Sequence, residues 1–170
     1  MKVDLAALTT FPSEVHLAER ADAIKFTIEG VRFGDGVNAV LTIQKADDEY
    51  FVYGSCAARV EMECARCLEP ANVELTGDLE IIAHLGDAHA SGRNRQIDVD
   101  EQSVTLPHTE ELELDEFIRQ ALASEVPLKP LCDEDCAGLC PTCGANRNNT
   151  PCKCDTSPSD SRWEKLAKLK

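Results

Sequence analysis

The segment LCDEDCAGLCPTCGANRNNTPCKC, residues 131–154, decides how this chain folds, because it holds six of the nine cysteines among few apolar side chains. A segment of this composition cannot bury a hydrophobic core of its own and needs a cross-link or a metal ion. Two more cysteines lie in ECARCLEP, residues 63–70. Eight cysteines therefore form four close pairs: Cys64 with Cys67, Cys132 with Cys136, Cys140 with Cys143, and Cys152 with Cys154.

Metal binding is the favoured explanation of these pairs. The chain begins MKVDL, with an acid where a secretory signal has an uninterrupted apolar stretch, so we expect a cytoplasmic protein. A reducing cytosol keeps thiols free, which makes disulfides the weaker alternative. The spacings match neither common ferredoxin run, and neither Cys-x-x-Cys pair has a thioredoxin-like context. Zinc, bound by four thiolates in a closed tetrahedral shell, is the preferred ion.

Four pairs predict two Zn²⁺ ions, each in a site of four cysteines, and their partition is open. In CPTCG, residues 140–144, proline fixes a turn and glycine accepts the positive φ that follows the second ligand. One predicted site is therefore Cys140, Cys143, Cys152 and Cys154, and the other is Cys64, Cys67, Cys132 and Cys136. The alternative groups Cys132, Cys136, Cys140 and Cys143 and leaves Cys64 and Cys67 apart. The ninth cysteine, Cys56, is predicted to be a small buried apolar side chain.

From Glu14 to His84, apolar and polar residues alternate in runs separated by turn residues, which is typical of half-buried antiparallel strands. The pattern predicts strands at residues 24–29, 37–45, 50–62 and 73–82. Short connectors at residues 34–36 and 46–49 join neighbouring strands, so we expect a meander that forms a curled sheet or a small barrel. Residues 86–96 predict a surface loop.

One helix is predicted near residues 114–126, where apolar side chains recur at steps of three and four until Pro127 ends the pattern. Those side chains are Leu114, Phe117, Ile118, Ala121, Leu122 and Val126. The predicted fold class is α+β, with a strand-rich domain over residues 1–130 that packs this helix. A cysteine-rich zinc-binding tail follows over residues 131–170 and ends in a short basic helix at residues 161–170.

Charge and missing motifs exclude several function classes. A net charge of −14 disfavours a surface that binds phosphate backbones. Residues 137–170 differ from the rest of the chain, with six basic residues against three acidic ones. No nucleotide-binding glycine loop, His-Glu-x-x-His helix or Gly-x-Ser-x-Gly elbow occurs, and the four histidines have no paired spacing. Four thiolates also fill a zinc shell. We therefore expect a protein that is not an enzyme, and no membrane partner.

Two segments carry a resemblance to a known family: ECARCLEP at residues 63–70 and VPLKPLCDEDCAGLCPTCG at residues 126–144. They resemble the bacterial YceD family, described as large ribosomal RNA subunit accumulation proteins, and the likeness covers nearly the whole chain. The resemblance implies a role in 23S ribosomal RNA accumulation and large-subunit assembly, with relatives in plastids. Some relatives lack the last cysteine pairs, which implies that Cys64 and Cys67 share a site with Cys132 and Cys136.

The resemblance implies a ribosomal RNA precursor or a large-subunit ribosomal protein as the partner. The leading expectation is a zinc-stabilised scaffold or adaptor for ribosome biogenesis. A zinc-responsive or thiol-responsive regulator is one alternative, and an rRNA-processing nuclease is another that would need clustered carboxylates or an open metal site.

Overall fold

A computed structural model describes residues 1–21, 28–85, 103–106 and 110–154. Contacts divide the chain into two compact units. The sheet unit comprises Met1–Met62 and Asn72–Leu128, and the cysteine unit comprises Glu63–Ala71 and the chain from Lys129 onward. Glu63–Ala71 thus falls in the same unit as the cysteine-rich segment.

The secondary structure is mostly strand, with one helix among the described residues. The elements are β1 (Lys2–Asp4), β2 (Ser13–Glu19), β3 (Val31–Ala46), β4 (Glu49–Glu63), β5 (Pro70–Leu85), β6 (Ser103–Leu106), β7 (Glu111–Glu113) and α1 (Asp115–Ser124). A five-stranded sheet has the order β2-β3-β4-β5-β6, and β1 pairs with β7 in a separate two-stranded sheet. In the described part of the chain the larger sheet is open, with β2 and β6 at its edges, so the alternative of a closed small barrel is wrong.

The predicted strands at residues 37–45, 50–62 and 73–82 are confirmed as parts of β3, β4 and β5. The connector predicted at residues 34–36 is wrong, because this segment lies inside β3, where the register with β4 shifts between Phe33 and Val37. Such a bulge absorbs extra residues without ending the strand. The connector at residues 46–49 is the β3–β4 turn, with Asp47 at a φ of 53°.

The meander prediction holds for β2 to β4, which pair antiparallel in sequence order, but β6 joins β5 in parallel. The predicted strand at residues 24–29 falls mostly outside the described residues, as do the loop at residues 86–96 and the helix at residues 161–170. Among the described helices, none is long and apolar enough to cross a bilayer.

The core of the sheet unit lies on one face of the large sheet, where alternate residues of β3, β4 and β5 are buried. The helix contributes Ile118 and Leu122 to the same core, which also includes its N-cap residue Leu114. A Cβ added at Gly77 of β5 would lie 2.8 Å from the backbone of Ala121, so the close approach of helix and strand requires glycine there. The predicted helix is confirmed, although it stops at Ser124, three residues before Pro127.

Cys56 of β4 belongs to this core, as predicted. Burial raises the pKa of its thiol to about 11, and the Sγ atom lies 3.5 Å from the carbonyl oxygen of Gly77. A thiol that stays protonated at neutral pH packs as an apolar side chain. Cys56 therefore stands apart from the other eight cysteines in its chemistry.

Candidate metal centre

The first cysteine cluster brings together two pairs that are far apart in sequence. Its four members each offer one sulfur, and all four sulfurs lie within 4.8 Å of one another: Cys64, Cys67, Cys132 and Cys136. The Sγ atoms are 3.8 Å apart between Cys64 and Cys136, and 3.5 Å apart between Cys67 and Cys132. Four sulfurs placed tetrahedrally at Zn–S distances of about 2.3 Å are about 3.8 Å apart. The cluster therefore has the size that a zinc ion requires.

The second cysteine cluster is local. Its sulfurs also lie within 4.8 Å of one another, and they come from Cys140, Cys143, Cys152 and Cys154. This is the preferred grouping of the sequence analysis, whereas the alternative group of Cys132 and Cys136 with Cys140 and Cys143 is not brought together. No histidine or carboxylate joins either cluster in the part of the chain that the structure describes. All nine cysteines are free thiols.

Both clusters begin with the same turn. The N–H of Leu68 donates to the carbonyl of Cys64 at 2.9 Å, and the N–H of Gly144 donates to the carbonyl of Cys140 at the same distance. A return hydrogen bond links Cys64 N–H to Glu69 in one turn, and Cys140 N–H to Ala145 in the other. The residue after the second cysteine has positive φ in each, 62° at Leu68 and 72° at Gly144. The two segments are therefore equivalent knuckles.

Positive φ was predicted at Gly144 and is confirmed there. The equivalent conformation of Leu68 was missed, because leucine rarely adopts positive φ and gives no signal in a sequence. Its side chain is 56% exposed, so packing does not explain the conformation. The positive φ of Leu68 is explained by the backbone geometry that directs two thiols at one point.

Arg66, inside the first knuckle, positions the partner pair of the first cluster. Its Nη1 donates to the carbonyl oxygens of Glu134 and Cys136, both at 3.0 Å. Its own carbonyl accepts the N–H of Leu139 at 3.0 Å. These contacts hold the loop from Cys132 to Cys136 against the knuckle. This role could not be predicted from the sequence, since only the fold brings residues so far apart in sequence together.

Asn148 connects the two clusters. It lies in the loop between Cys143 and Cys152 of the second cluster, and its Nδ2 donates to the Sγ of Cys136 in the first cluster at 3.3 Å. Its Oδ1 accepts the N–H of Ala137 at 2.7 Å, which fixes the orientation of the amide. A hydrogen bond of this kind stabilises a thiolate ligand from outside the metal shell. This contact of Asn148 could not be predicted from the sequence either.

The thiols of the first cluster differ in pKa. Burial acts to raise the pKa of Cys64, but backbone N–H groups of Arg66 and Cys132 lower it to about 6. The neighbouring sulfurs of Cys67 and Cys136 raise the pKa of Cys132 to about 12, because adjacent thiolates repel. The cluster without a cation therefore retains protons that a bound divalent ion displaces.

The second cluster repeats this pattern. Backbone N–H groups of Cys143 and Thr142 lower the pKa of Cys140 to about 6, while the sulfur of Cys143 raises the pKa of Cys154 to about 12. In each cluster, backbone N–H donors lower the pKa of the first cysteine of the Cys-x-x-Cys turn. In the first cluster the side chain of Asn148 also lowers the pKa of Cys136. The donor set of four soft sulfurs in a compact tetrahedral arrangement fits zinc.

Comparison with known proteins places the chain in a family. A family model described as large ribosomal RNA subunit accumulation protein YceD matches residues 52–170, which include all eight clustered cysteines. The chain belongs to the YceD family. An uncharacterized protein of Mycobacterium tuberculosis is 29% identical over 173 residues, covering 99% of this chain and 81% of the relative.

Plant relatives match shorter stretches of this YceD family member. One of them, large ribosomal RNA subunit accumulation protein YCED homolog 1, chloroplastic, from Zea mays, is 30% identical over 118 residues, covering 56% of this chain and 40% of the plant protein. Its counterpart from Arabidopsis thaliana is 31% identical over 64 residues, covering 38% of this chain and 20% of the relative. No solved structure matches the chain.

Proposed function

We propose that this chain is a zinc-stabilised scaffold that supports the accumulation of 23S ribosomal RNA and the assembly of the large ribosomal subunit in the cytoplasm. The observation that carries the proposal is the match to the YceD family model over the region that contains both cysteine clusters. The names of the family and of the chloroplastic relatives supply the process. The geometry of the two cysteine clusters supports the part of the proposal that describes a zinc-stabilised scaffold.

A structural role for the metal follows from the ligand sets. Each cluster offers four thiolates and therefore fills a tetrahedral shell, which leaves no position for a substrate or an activated water. The cysteine unit has a small buried cluster of its own around Cys64, Cys67, Ala71 and Cys136. So small a core gains most of its folding free energy from bound metal. The chain acts in this proposal by binding, and not as an enzyme.

Binding partners are expected among the components of the precursor large subunit. The formal charge of −14 gives the chain long-range attraction for basic proteins and repulsion from bare phosphate backbones. A basic ribosomal protein therefore fits the body of the chain better than naked RNA. An adaptor of this kind retains such a protein near the RNA during assembly.

The test is genetic and chemical together. Deletion of the gene in its bacterial host should lower the ratio of 23S to 16S ribosomal RNA, and the wild-type gene should restore the ratio. Cys64→Ser combined with Cys140→Ser should fail to restore it, because the double change removes one ligand from each cluster. The matched control is Cys56→Ala, which removes a cysteine outside both clusters. An unchanged ratio after deletion would contradict the proposal.

Two measurements on purified protein separate the alternatives. Metal analysis under reducing conditions should find about two zinc ions per chain, as two sites of four thiolates require. Affinity far below that of an ordinary structural site would instead support a zinc-responsive regulator. Incubation with precursor RNA and divalent ions should give no cleavage. Cleavage that disappears when one acidic residue is replaced would support the nuclease.

A further inference from the structure

The large sheet has a second face, which is open and carries an apolar patch. Val40 on β3 and Phe51 and Tyr53 on β4 are exposed by 42%, 36% and 42%. Their chain neighbours Leu41 and Val52 are buried in the core, so alternation along the strands directs the three exposed side chains to the opposite face. An exposed group of large apolar side chains is a feature of binding surfaces.

The patch contains a depression into which a side chain fits. A cavity of about 380 Å³ lies between β4 and β5, and its lining includes Phe51, Tyr53, Glu80 and Ile82. Tyr53 is held in place by Gln44, whose Nε2 donates to the tyrosine hydroxyl at 2.9 Å. The register places Gln44 opposite Phe51 and Thr42 opposite Tyr53, so these side chains lie side by side on neighbouring strands. The residues that line the depression lie on β4, β5 and β6, so its walls are strands of the sheet.

Acidic side chains border this patch. Glu14 on β2 lies opposite Thr42 and contacts Nε2 of His16 at 2.6 Å. Asp78 and Glu80 on β5 are exposed at positions that alternate with buried residues. Two arginines of the open face lie toward the other end of the described strands. Arg59 on β4 is at the register shift between Phe33 and Val37, and Arg32 on β3 is beyond it, where its Nη1 pairs with Glu61 at 3.4 Å. The apolar patch therefore has a negative border. Such a border attracts lysine and arginine side chains and repels phosphate groups.

We propose that this open face, from Val40 to Ile82 across β3, β4 and β5, binds a lysine- and arginine-rich protein segment that inserts an apolar side chain between Tyr53 and Glu80. The inference rests on the proposed function, because it identifies the partner as a basic protein of the large subunit. A second copy of the chain fits poorly, since it brings the same acidic border against itself. RNA fits poorly for the same reason.

Site-specific photocrosslinking tests which partner binds. The full zinc-loaded chain carries p-benzoylphenylalanine in place of Tyr53, or in place of Arg59 on the same strand and face as a matched control. Three probes are used: RNA-free total protein of the large subunit, protein-free 23S ribosomal RNA, and the chain alone. Crosslinking from position 53 to one or a few basic proteins, and not from position 59, is the expected result. Crosslinks to RNA, to a second copy, equally from both positions, or none at all would overturn the inference.

Binding of the same RNA-free protein extract should respond to single substitutions. Tyr53→Ser removes an exposed ring and is expected to weaken binding roughly tenfold or more, as loss of a central aromatic contact does. Glu80→Lys reverses a border charge and should weaken binding most at low ionic strength. Arg59→Ser, on the same strand and face, should leave affinity unchanged. A zinc content of about two ions per chain in every variant shows that the cysteine sites remain intact.

The two proposals fail separately. A normal ratio of 23S to 16S ribosomal RNA after gene deletion, with crosslinking from position 53 intact, overturns the ribosomal function and leaves the surface. A lowered ratio in the deletion strain that the Tyr53→Ser gene restores as fully as the wild-type gene overturns the surface and leaves the function.

Discussion

The two cysteine clusters contain the same Cys-x-x-Cys turn, and they differ in how the second cysteine pair is connected to it and in burial. Both knuckles use the same hydrogen bonds around Cys64 and Cys140 and a residue of positive φ after the second cysteine. The first cluster then recruits a pair 65 residues away in the chain, and the second recruits a pair that closes a short loop. The common turn sets the geometry of the first two thiols, while the chain connection sets which segments a bound ion would join.

The two clusters also differ in how deeply their cysteines are buried. Three of the four cysteines of the first cluster are buried and only Cys132 is exposed, whereas the second cluster buries Cys140 alone. Apolar side chains of Leu131 and Leu139 pack against the first cluster. The first cluster is therefore part of the buried centre of the cysteine unit, and the loop of the second cluster places Asn148 against it.

The largest expected effect comes from removing one ligand from each cluster in turn. Cys136→Ser and Cys154→Ser should each lower the zinc content from about two ions per chain to about one. Cys136→Ser should expose the whole of residues 129–154 to protease, because the first site and its contacts with Arg66 hold this segment. Cys154→Ser should expose only residues 140–154. Limited proteolysis with mass spectrometry distinguishes the two patterns, and identical patterns would contradict the division of roles.

The two sites should lose zinc to a chelator at different rates. A chromogenic chelator should withdraw zinc in two phases of equal amplitude, with the second cluster losing its ion first because its thiols are more accessible. The faster phase should be absent in Cys154→Ser and present in Cys136→Ser. A single phase, or loss of the faster phase in Cys136→Ser, would show that exposure does not control release.

The sequence predicted the parts of this structure that depend on local periodicity or spacing. Alternation over nine or more residues located β3, β4 and β5, and steps of three and four located α1, because each long element buries one face. Cysteine spacing and the family resemblance predicted which cysteines lie together. Three-residue strands such as β1 and β7 are too short to show a period, and the bulge at residues 34–36 has the composition of a turn.

Positioning residues could not be predicted from the sequence. Arg66 and Asn148 act on groups 68 and 12 residues away, so their roles exist only after the chain has folded. Neither residue type is a zinc ligand, and neither spacing is a motif. The open face of the sheet was likewise hidden, since alternation shows that one face is polar without showing where its few apolar side chains meet.

A smaller effect is expected at the hydrogen bond between the clusters. Asn148→Ala removes the donor to Cys136 Sγ and should lower zinc affinity at the first site roughly tenfold, as loss of such an outer contact does. Affinity at the second site should stay within the error of the measurement, because no ligand changes. Competition with a chelator of known affinity measures both sites.

Asn149→Ala is the matched control for Asn148→Ala, since it changes an exposed neighbour whose contact in the loop is made by the backbone N–H. It should leave both affinities unchanged. Equal losses in the two variants would mean that loop composition, and not the hydrogen bond to sulfur, sets the affinity of the first site.

The smallest effect tests whether the two knuckles are equivalent. Positive φ costs a residue with a side chain roughly 1–2 kcal/mol, and glycine costs about 0.5–1 kcal/mol in unfolded-state entropy, so the two terms partly cancel. Leu68→Gly should therefore raise zinc affinity at the first site by about two- to threefold, and Gly144→Leu should lower it at the second site by about the same factor. A Cβ at Gly144 meets nothing within 4 Å, so the loss there reflects backbone conformation alone. Changes of the same sign in both variants would show that Leu68 is held at positive φ by its side chain, and that the two turns are alike in shape but not in cause.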